Sequence, residues 1–401
     1  MNNFGFLPER LCFIDEHLQR NYLDTSRYIG TLMGIYRRGE LGYVSSMGLM
    51  DREGNRRMNR DTIFRIYSMT KPITSVALMT LYEKGLFQLD DPVSEYIPSF
   101  RKFQVYQEGM LGNFKTSSLE REMTIRDLLT HQSGLTYGFM ERTNVDHAYR
   151  ELGIEKESQG NLKEFVELLT SIPLEFSPGT AWNYSVSTDV CGHLIEVISG
   201  KTLDEFFQRE IFEPLGMVDT GFYVSADKKS RLASCYEYNE SEPPKLVDDA
   251  VTGTYLHRPN VLSGGGGLVS TLDDYMSFCK MILNGGDAVD NRIISRKTLD
   301  LMSSNHLVNG GDLRSCAYGR WSETSYTGVG FGLGFSVLLD PGASQVSGSI
   351  GELAWGGAAS TAFWIDPVED LAVVFLTQLL PSSQFNVRRE LRSLVYSAIS
   401  D

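Results

Sequence analysis

Stretches with strand character gather near both ends of the chain, and helical spacing dominates between them. No other feature of the 401 residues narrows the fold as much. Near the start, IGTLMGIY (29–36), the breaker RRGE and LGYVSSMGLM (41–50) form the pattern of a β-hairpin. Near the end come GFGLGFSVLL (330–339), AWGGAASTAFWI (354–365) and LAVVFLTQ (371–378), the last two joined by DPVED in a second hairpin. TIRDLLTH (124–131), NLKEFVELLTSI (161–172), STDVCGHLIEVIS (187–199) and TLDEFFQREIFEPLG (202–216) repeat apolar residues every three or four positions, as helices do. Further helices are expected in LCFIDEHLQRNYL (11–23) and FNVRRELRSLVYSAIS (385–400). The pattern predicts an α/β (α+β) class, with a central, mainly antiparallel sheet flanked by helices. Residues 1–90 and 310–401 would build that sheet domain and residues 91–309 a mainly helical one. DREGNRRMNRD (51–61) reads as loop, and Ser270 with Asp273 as the capping pair of the helix that follows.

Composition excludes several function classes. Lys plus Arg number 37 and Asp plus Glu 51, so 37 − 51 leaves a net charge of −14, which repels nucleic acid and anionic lipid. Cys12, Cys191, Cys235, Cys279 and Cys316 are scattered, odd in number and lack any C-x-x-C, so reduced thiols are expected rather than a disulfide framework or a zinc ribbon. The six histidines show no H-E-x-x-H, and neither metal nor cofactor is expected. Glu9, Asp15 and Glu16 stand where an export signal needs an apolar core, and LAVVFL is far too short to span a bilayer. These features predict a cytoplasmic protein, monomeric or a small homo-oligomer, without a nucleic-acid or membrane partner.

Without any G-x-S-x-G, the nucleophile elbow of the α/β-hydrolases is absent. Ser-x-x-Lys is an alternative, because a spacing of three places both side chains on one helix face, where a desolvated lysine can take the serine proton. It occurs at Ser68–Lys71, Ser99–Lys102, Ser225–Lys228 and Ser277–Lys280. Only Ser68 also lies at a helix start: Pro72 cannot sit deep in a helix, so the apolar helix through VALMTLYEK begins near Ser68 or Met69. Free N–H groups and the helix dipole there favour an oxyanion, and apolar Ile73, Val76, Ala77 and Leu78 imply a buried Lys71. Tyr184, just before the helix at 187, could exchange protons beside an ammonium. Trp355-Gly356-Gly357-Ala358 reads as the start of a late strand whose glycines admit another backbone closely and leave an N–H on Ala358 for an oxyanion.

S-M-T-K, Y-S-V and W-G-G in this order, with LLTHQSGL (128–135), FSPGTAWNYS (176–185) and SGGGGLVSTLDD (263–274), resemble the family VIII carboxylesterases. Those enzymes belong with the class C β-lactamases and penicillin-binding proteins. The resemblance implies a serine β-lactamase-like fold with its site in a cleft between the two domains. It implies Ser68 as acylated nucleophile, Lys71 as proton acceptor, Tyr184 as the base or acid for the deacylating water, and Ser68 and Ala358 N–H groups as oxyanion hole. Val186 stands where lactamases carry an asparagine and Trp355 where they carry a cationic lysine, which removes an amide and a carboxylate partner. A small neutral ester of short to medium chain is thus the expected substrate, with Trp355, Gly356, Gly357, Tyr137 and Val186 around it and Tyr255 a further aromatic candidate. The alternatives are a β-lactamase or D-amino-acid peptidase, an acyltransferase on the same acyl-enzyme, and a non-catalytic binding protein. His131 resembles the family's fixed loop histidine, a structural role. The run Gly264–Gly267 lacks the spacing of a phosphate loop.

Overall fold

Apolar runs from opposite ends of the chain pair with one another. The computed structural model describes residues 4–154, 160–288, 291–319 and 326–401. Among them eight strands form one antiparallel sheet: β1 (Gly30–Arg37), β2 (Glu40–Asp51), β3 (Arg56–Arg57), β4 (Val329–Phe331), β5 (Ser336–Leu338), β6 (Leu353–Gly356), β7 (Ala362–Asp366) and β8 (Leu371–Leu376). Their order across the sheet is β4-β5-β6-β7-β8-β1-β2-β3, so β8 and β1 join the two chain ends, with Leu32 opposite Leu376 and Tyr36 opposite Ala372.

The central strands β1, β7 and β8 are buried along their full length, so they read as apolar runs and not as alternating ones. The period of two persists as a choice between two cores. Met33, Ile35, Trp364, Val373 and Phe375 point to one face. Leu32, Tyr36, Phe363, Ile365 and Val374 point to the other. Five helices matter for the argument: α1 (Pro8–Leu18), α2 (Thr70–Glu83), α3 (Ser187–Ser199), α4 (Leu272–Leu283) and α5 (Val387–Ser397). Leu11, Ile14 and Leu18 of α1, and Val387, Leu391 and Val395 of α5, fill the first face at helical spacing. Leu272, Tyr275 and Cys279 of α4 fill the second, and α2 packs against α3.

Several expectations need correction. GFGLGFSVLL is two strands, β4 and β5, because the chain reverses at Gly334 (φ +96°), where a Cβ would lie 2.2 Å from Ser75 Oγ of α2. AWGGAASTAFWI likewise splits into β6 and β7, so Trp355-Gly356 ends a strand rather than starting one. DREGNRRMNRD is not all loop, since Arg56–Arg57 pairs with β2. The cap of α4 is Thr271, which accepts from Asp274 N–H at 3.3 Å; Ser270 is already paired with Phe64 in a two-stranded ladder. Residues 91–309 also hold strands, Val105–Glu108 with Lys115–Ser117 and Cys235–Glu237 with Lys245–Asp248, the former of these last two pairing in parallel with Leu379–Leu380. Runs of two to four residues are too short to show a period. All five cysteines are free thiols. Among the described residues no helix is long and apolar enough to cross a membrane.

Trp364 is fully buried between the sheet and the α1–α5 layer. Trp364→Ala is expected to cost about 3–5 kcal/mol in urea unfolding. A loss below about 1 kcal/mol would contradict close packing on that face.

Candidate active site

Ser68 owes its position to the segment that delivers it. Arg65 is clamped by the amide of Gln378, which accepts from Arg65 N–H at 3.1 Å and donates to Arg65 O at 3.0 Å, and Ile66 N–H donates to Leu268 O at 3.0 Å. Tyr67 then adopts φ +43°, a left-handed conformation of the kind that costs on the order of 1–3 kcal/mol in a non-glycine residue. A single 3-10 turn, Tyr67–Met69, leads into α2 at Thr70, so Ser68 sits at the helix N-terminus with Pro72 safely in the first turn. Tyr275 OH of α4 donates to Met69 O at 2.9 Å and fixes the turn from the far side.

Three side chains converge here. Lys71, 1% exposed, donates to Ser68 Oγ at 3.2 Å, to Tyr137 OH at 3.0 Å and to the Gly265 carbonyl at 2.7 Å. Tyr184 OH donates to Ser68 Oγ at 2.6 Å, and Lys71 Nζ lies 4.5 Å from the centre of its ring. Two of the other three Ser-x-x-Lys pairs are engaged elsewhere, Lys228 donating to Val218 O and Ser277 Oγ to Asp273 O, and in the third Lys102 is exposed to solvent.

Tyr184 is held by the zipping of two loops that the sequence places fifty residues apart. Asn183 N–H donates to His131 O at 2.9 Å, Asn183 Nδ2 to Leu135 O at 2.8 Å, and Gly179 N–H to Gln132 O at 2.8 Å. His131 is fully buried, with φ +56° and Nδ1 3.2 Å from Ser185 Oγ. Burial first, and the charge of Lys71 second, hold its pKa well below the ordinary imidazole value, so it packs as a neutral ring 5.0 Å from Tyr184.

The turn after β6 carries Gly357 and Ala358. A Cβ on Gly357 would lie 2.3 Å from Ile66 O, so glycine is what lets this turn touch the backbone just before Ser68. Arg388 of α5 ties the turn, donating from Nη2 to Gly357 O at 2.8 Å and to Thr361 O at 3.0 Å. Gly356 passes Arg388 so closely that a Cβ would lie 2.6 Å from its Cζ. Gly357 is buried and Ala358 exposed.

Ser68, Tyr184, Ala358, Gly356 and Gly357 line one cavity of about 950 Å³, large for a small-molecule site. Trp355, Val186, Tyr137 and Tyr255 also line it, with Trp355 5.5 Å from the Tyr184 ring. Phe139 stacks on Tyr137 at 4.7 Å and stands 58% exposed at the rim. Lys71 lies behind the cavity wall and reaches the cavity through its contact with Ser68. Sequence reasoning overlooked the bond from Lys71 to Tyr137, the Gly265 carbonyl, the turn-holding Arg388, and Asp189 beside the glycine run. Only Asp189 left a signal, an acid in the first turn of a helix that starts near Tyr184. Among the described residues no cluster of His, Cys, Asp and Glu could hold a metal ion.

Comparisons with known proteins identify the family and the fold. The family described as Beta-lactamase matches residues 16–397. Protein Rv1367c of Mycobacterium tuberculosis is 34% identical over 365 residues, 90% of this chain and 88% of its own. Esterase EstB of Burkholderia gladioli is 31% identical over 371 residues, 88% of this chain and 86% of its own. Among solved structures, EstCE1, described as a hydrolase with promiscuous acyltransferase activity, superposes with a TM-score of 0.81 at 27% identity, covering 97% of this chain and 99% of that one.

The buried neutral His131 gives the site a pH signature. Its folded-state pKa is depressed, so its contribution to stability is complete above the unfolded value near 6.5 and is lost as pH falls below it, by up to about 1.4 kcal/mol per pH unit. Urea unfolding between about pH 7.5 and about pH 5 should show this slope in the wild type and a shallower one in His131→Gln. Equal slopes would mean that His131 is protonated in the fold.

Proposed function

The chain belongs to the β-lactamase family, and from that premise we propose that it is a serine carboxylesterase, hydrolysing short- to medium-chain esters through an acyl-enzyme on Ser68. The observation that carries this reading is the meeting of an amine and a phenol on one hydroxyl, 3.2 and 2.6 Å from Ser68 Oγ.

The chemistry follows from those contacts. Lys71 in its amine form keeps two N–H bonds, to Tyr137 OH and Gly265 O, and turns its lone pair to Ser68. As Oγ attacks the ester carbonyl, Lys71 takes the hydroxyl proton and becomes an ammonium. The oxyanion is met by the N–H groups of Ser68, at the start of α2, and Ala358. Collapse expels the alcohol, which takes the proton of Tyr184. The enzyme is then acylated, with an ammonium 4.5 Å from the ring of a phenolate, so each charge offsets the other. Water attacks the acyl carbon and gives its proton to Tyr184, while Ser68 recovers its own from Lys71. Acid and alcohol leave, and both side chains return to their starting protonation.

Two apolar residues support esters over lactams. Val186, 1% exposed, has no amide to offer, and Trp355 presents an apolar wall where a cation would meet a carboxylate. A charged substrate would lose hydration there without compensation. Acyl transfer is a second reading favoured by two observations. The cavity has room for an acceptor alcohol beside the acyl group, and EstCE1 is described as having acyltransferase activity.

Turnover of p-nitrophenyl butyrate tests the reading. Ser68→Ala is expected to fall to the uncatalysed background, while an unchanged rate removes Ser68 as nucleophile. Tyr184→Phe and Lys71→Ala should each lose most activity. In Gly357→Ala the displaced turn should lower kcat/KM by about 10²-fold, the scale of one lost oxyanion donor. Nitrocefin cleaved faster than the ester would favour the lactamase instead.

A further inference from the structure

One buried carboxylate, Asp189, has no part in the chemistry so far, yet it meets the glycine run beside Lys71. Asp189 Oδ1 accepts from Ser263 Oγ at 2.5 Å and from Gly265 N–H at 3.0 Å, and the carbonyl of the same glycine accepts from Lys71 at 2.7 Å. A Cβ on Gly265 would lie 2.4 Å from Asp189 Oδ2, and one on Gly264 2.8 Å from Thr188 O. Gly264 and Gly265 are glycines because this part of the loop lies flat on the first turn of α3. Thr74 Oγ1 of α2 donates to Gly264 O at 2.7 Å and presses it there.

Asp189 is 4% exposed, in the first turn of a thirteen-residue helix whose dipole favours negative charge. Burial raises its carboxyl above the ordinary range, and Lys71 and the donors from Ser263 and Gly265 oppose that rise. Lys71 faces Ser68, Tyr137, Tyr184 and the Gly265 carbonyl, with neutral His131 beyond. Asp189 accepts from Ser263 and the Gly265 N–H and feels the charge of Lys71, and its own charge reaches the Cys191 thiol, which burial keeps protonated.

We propose that Asp189 is the positioning residue and buried counter-charge of Lys71. Through the Gly265 loop it fixes where the amine sits. As a carboxylate it stabilises the ammonium that Lys71 becomes on taking the Ser68 proton. This role rests on Lys71 being the proton acceptor of the esterase reading.

Asp189→Asn keeps the shape and an acceptor for Ser263 and Gly265 but removes the charge. The burst of p-nitrophenol, followed against pH, reports acyl-enzyme formation. In the variant its acid limb, below which Lys71 is an ammonium and cannot take the Ser68 proton, is expected to move down by about one pH unit. An ammonium without its counter-ion gives up its proton more readily. The plateau should fall about tenfold, since the ammonium formed in the step loses the same support. Asp189→Glu, which restores the charge, should return the limb towards wild type. A slower variant with an unmoved limb makes Asp189 a packing residue and overturns the proposal. A burst from Ser68→Ala would instead sink the esterase reading.

A melting cycle on the two single variants and the double one needs no activity. At about pH 8, Lys71→Met should melt below wild type, because it strands a buried carboxylate, and adding Asp189→Asn should restore the loss. A double variant whose deficit equals the sum of the single ones, or exceeds it, would show the two side chains uncoupled.

Discussion

A primary amine held out of water must find a polar partner for each N–H and for its lone pair, and Lys71 finds them on three separate stretches of chain. Ser68 comes from the turn before its own helix, Tyr137 from the loop after LLTHQSGL, and the Gly265 carbonyl from the glycine run. A desolvated charge costs several kcal/mol unless such partners are in place. The amine therefore constrains the loops as much as they constrain it, and movement of any one strands a buried donor or acceptor. In this sense the reactive centre is also a structural node, joining α2 to segments around residues 137 and 265.

The sheet supplies the other half of the site. The turn after β6 reaches Ile66 only because Gly357 has no side chain, and Arg388 keeps it there from a helix on the opposite face. Gln378, just beyond β8, closes on both backbone groups of Arg65 and so supports the strained Tyr67. Ser68 is thus pinned by the sheet before it and by α2 after it. Strain at Tyr67 persists because neighbours on both sides determine it.

Much of this was legible in the sequence, for reasons that differ by residue. The β1–β2 and β7–β8 hairpins announce themselves because buried strands are apolar and their turns are polar. Pro72 limits where α2 can start and so singles out Ser68 from four equivalent spacings. The W-G-G segment was visible as chemistry but placed at the wrong end of a strand. What turns the chain there is Arg388, reaching two carbonyls from a helix remote in sequence. The cap of α4 shifted by one residue because Ser270 is engaged by Phe64, again a distant partner. Strands of two to four residues carry no period at all. Asp189 showed as an acid in a first turn, but nothing local says that it is buried or that a glycine run covers it.

The most direct measurement is the intact mass of the protein quenched during turnover of a butyrate ester, followed by peptide mapping. With p-nitrophenyl butyrate, whose leaving group needs no proton from Tyr184, the account predicts one added butyryl group, carried by the peptide containing Ser68, accumulating in Tyr184→Phe as deacylation slows and absent in Ser68→Ala. Hydrolysis without any covalent adduct, or an adduct on another residue, would contradict it.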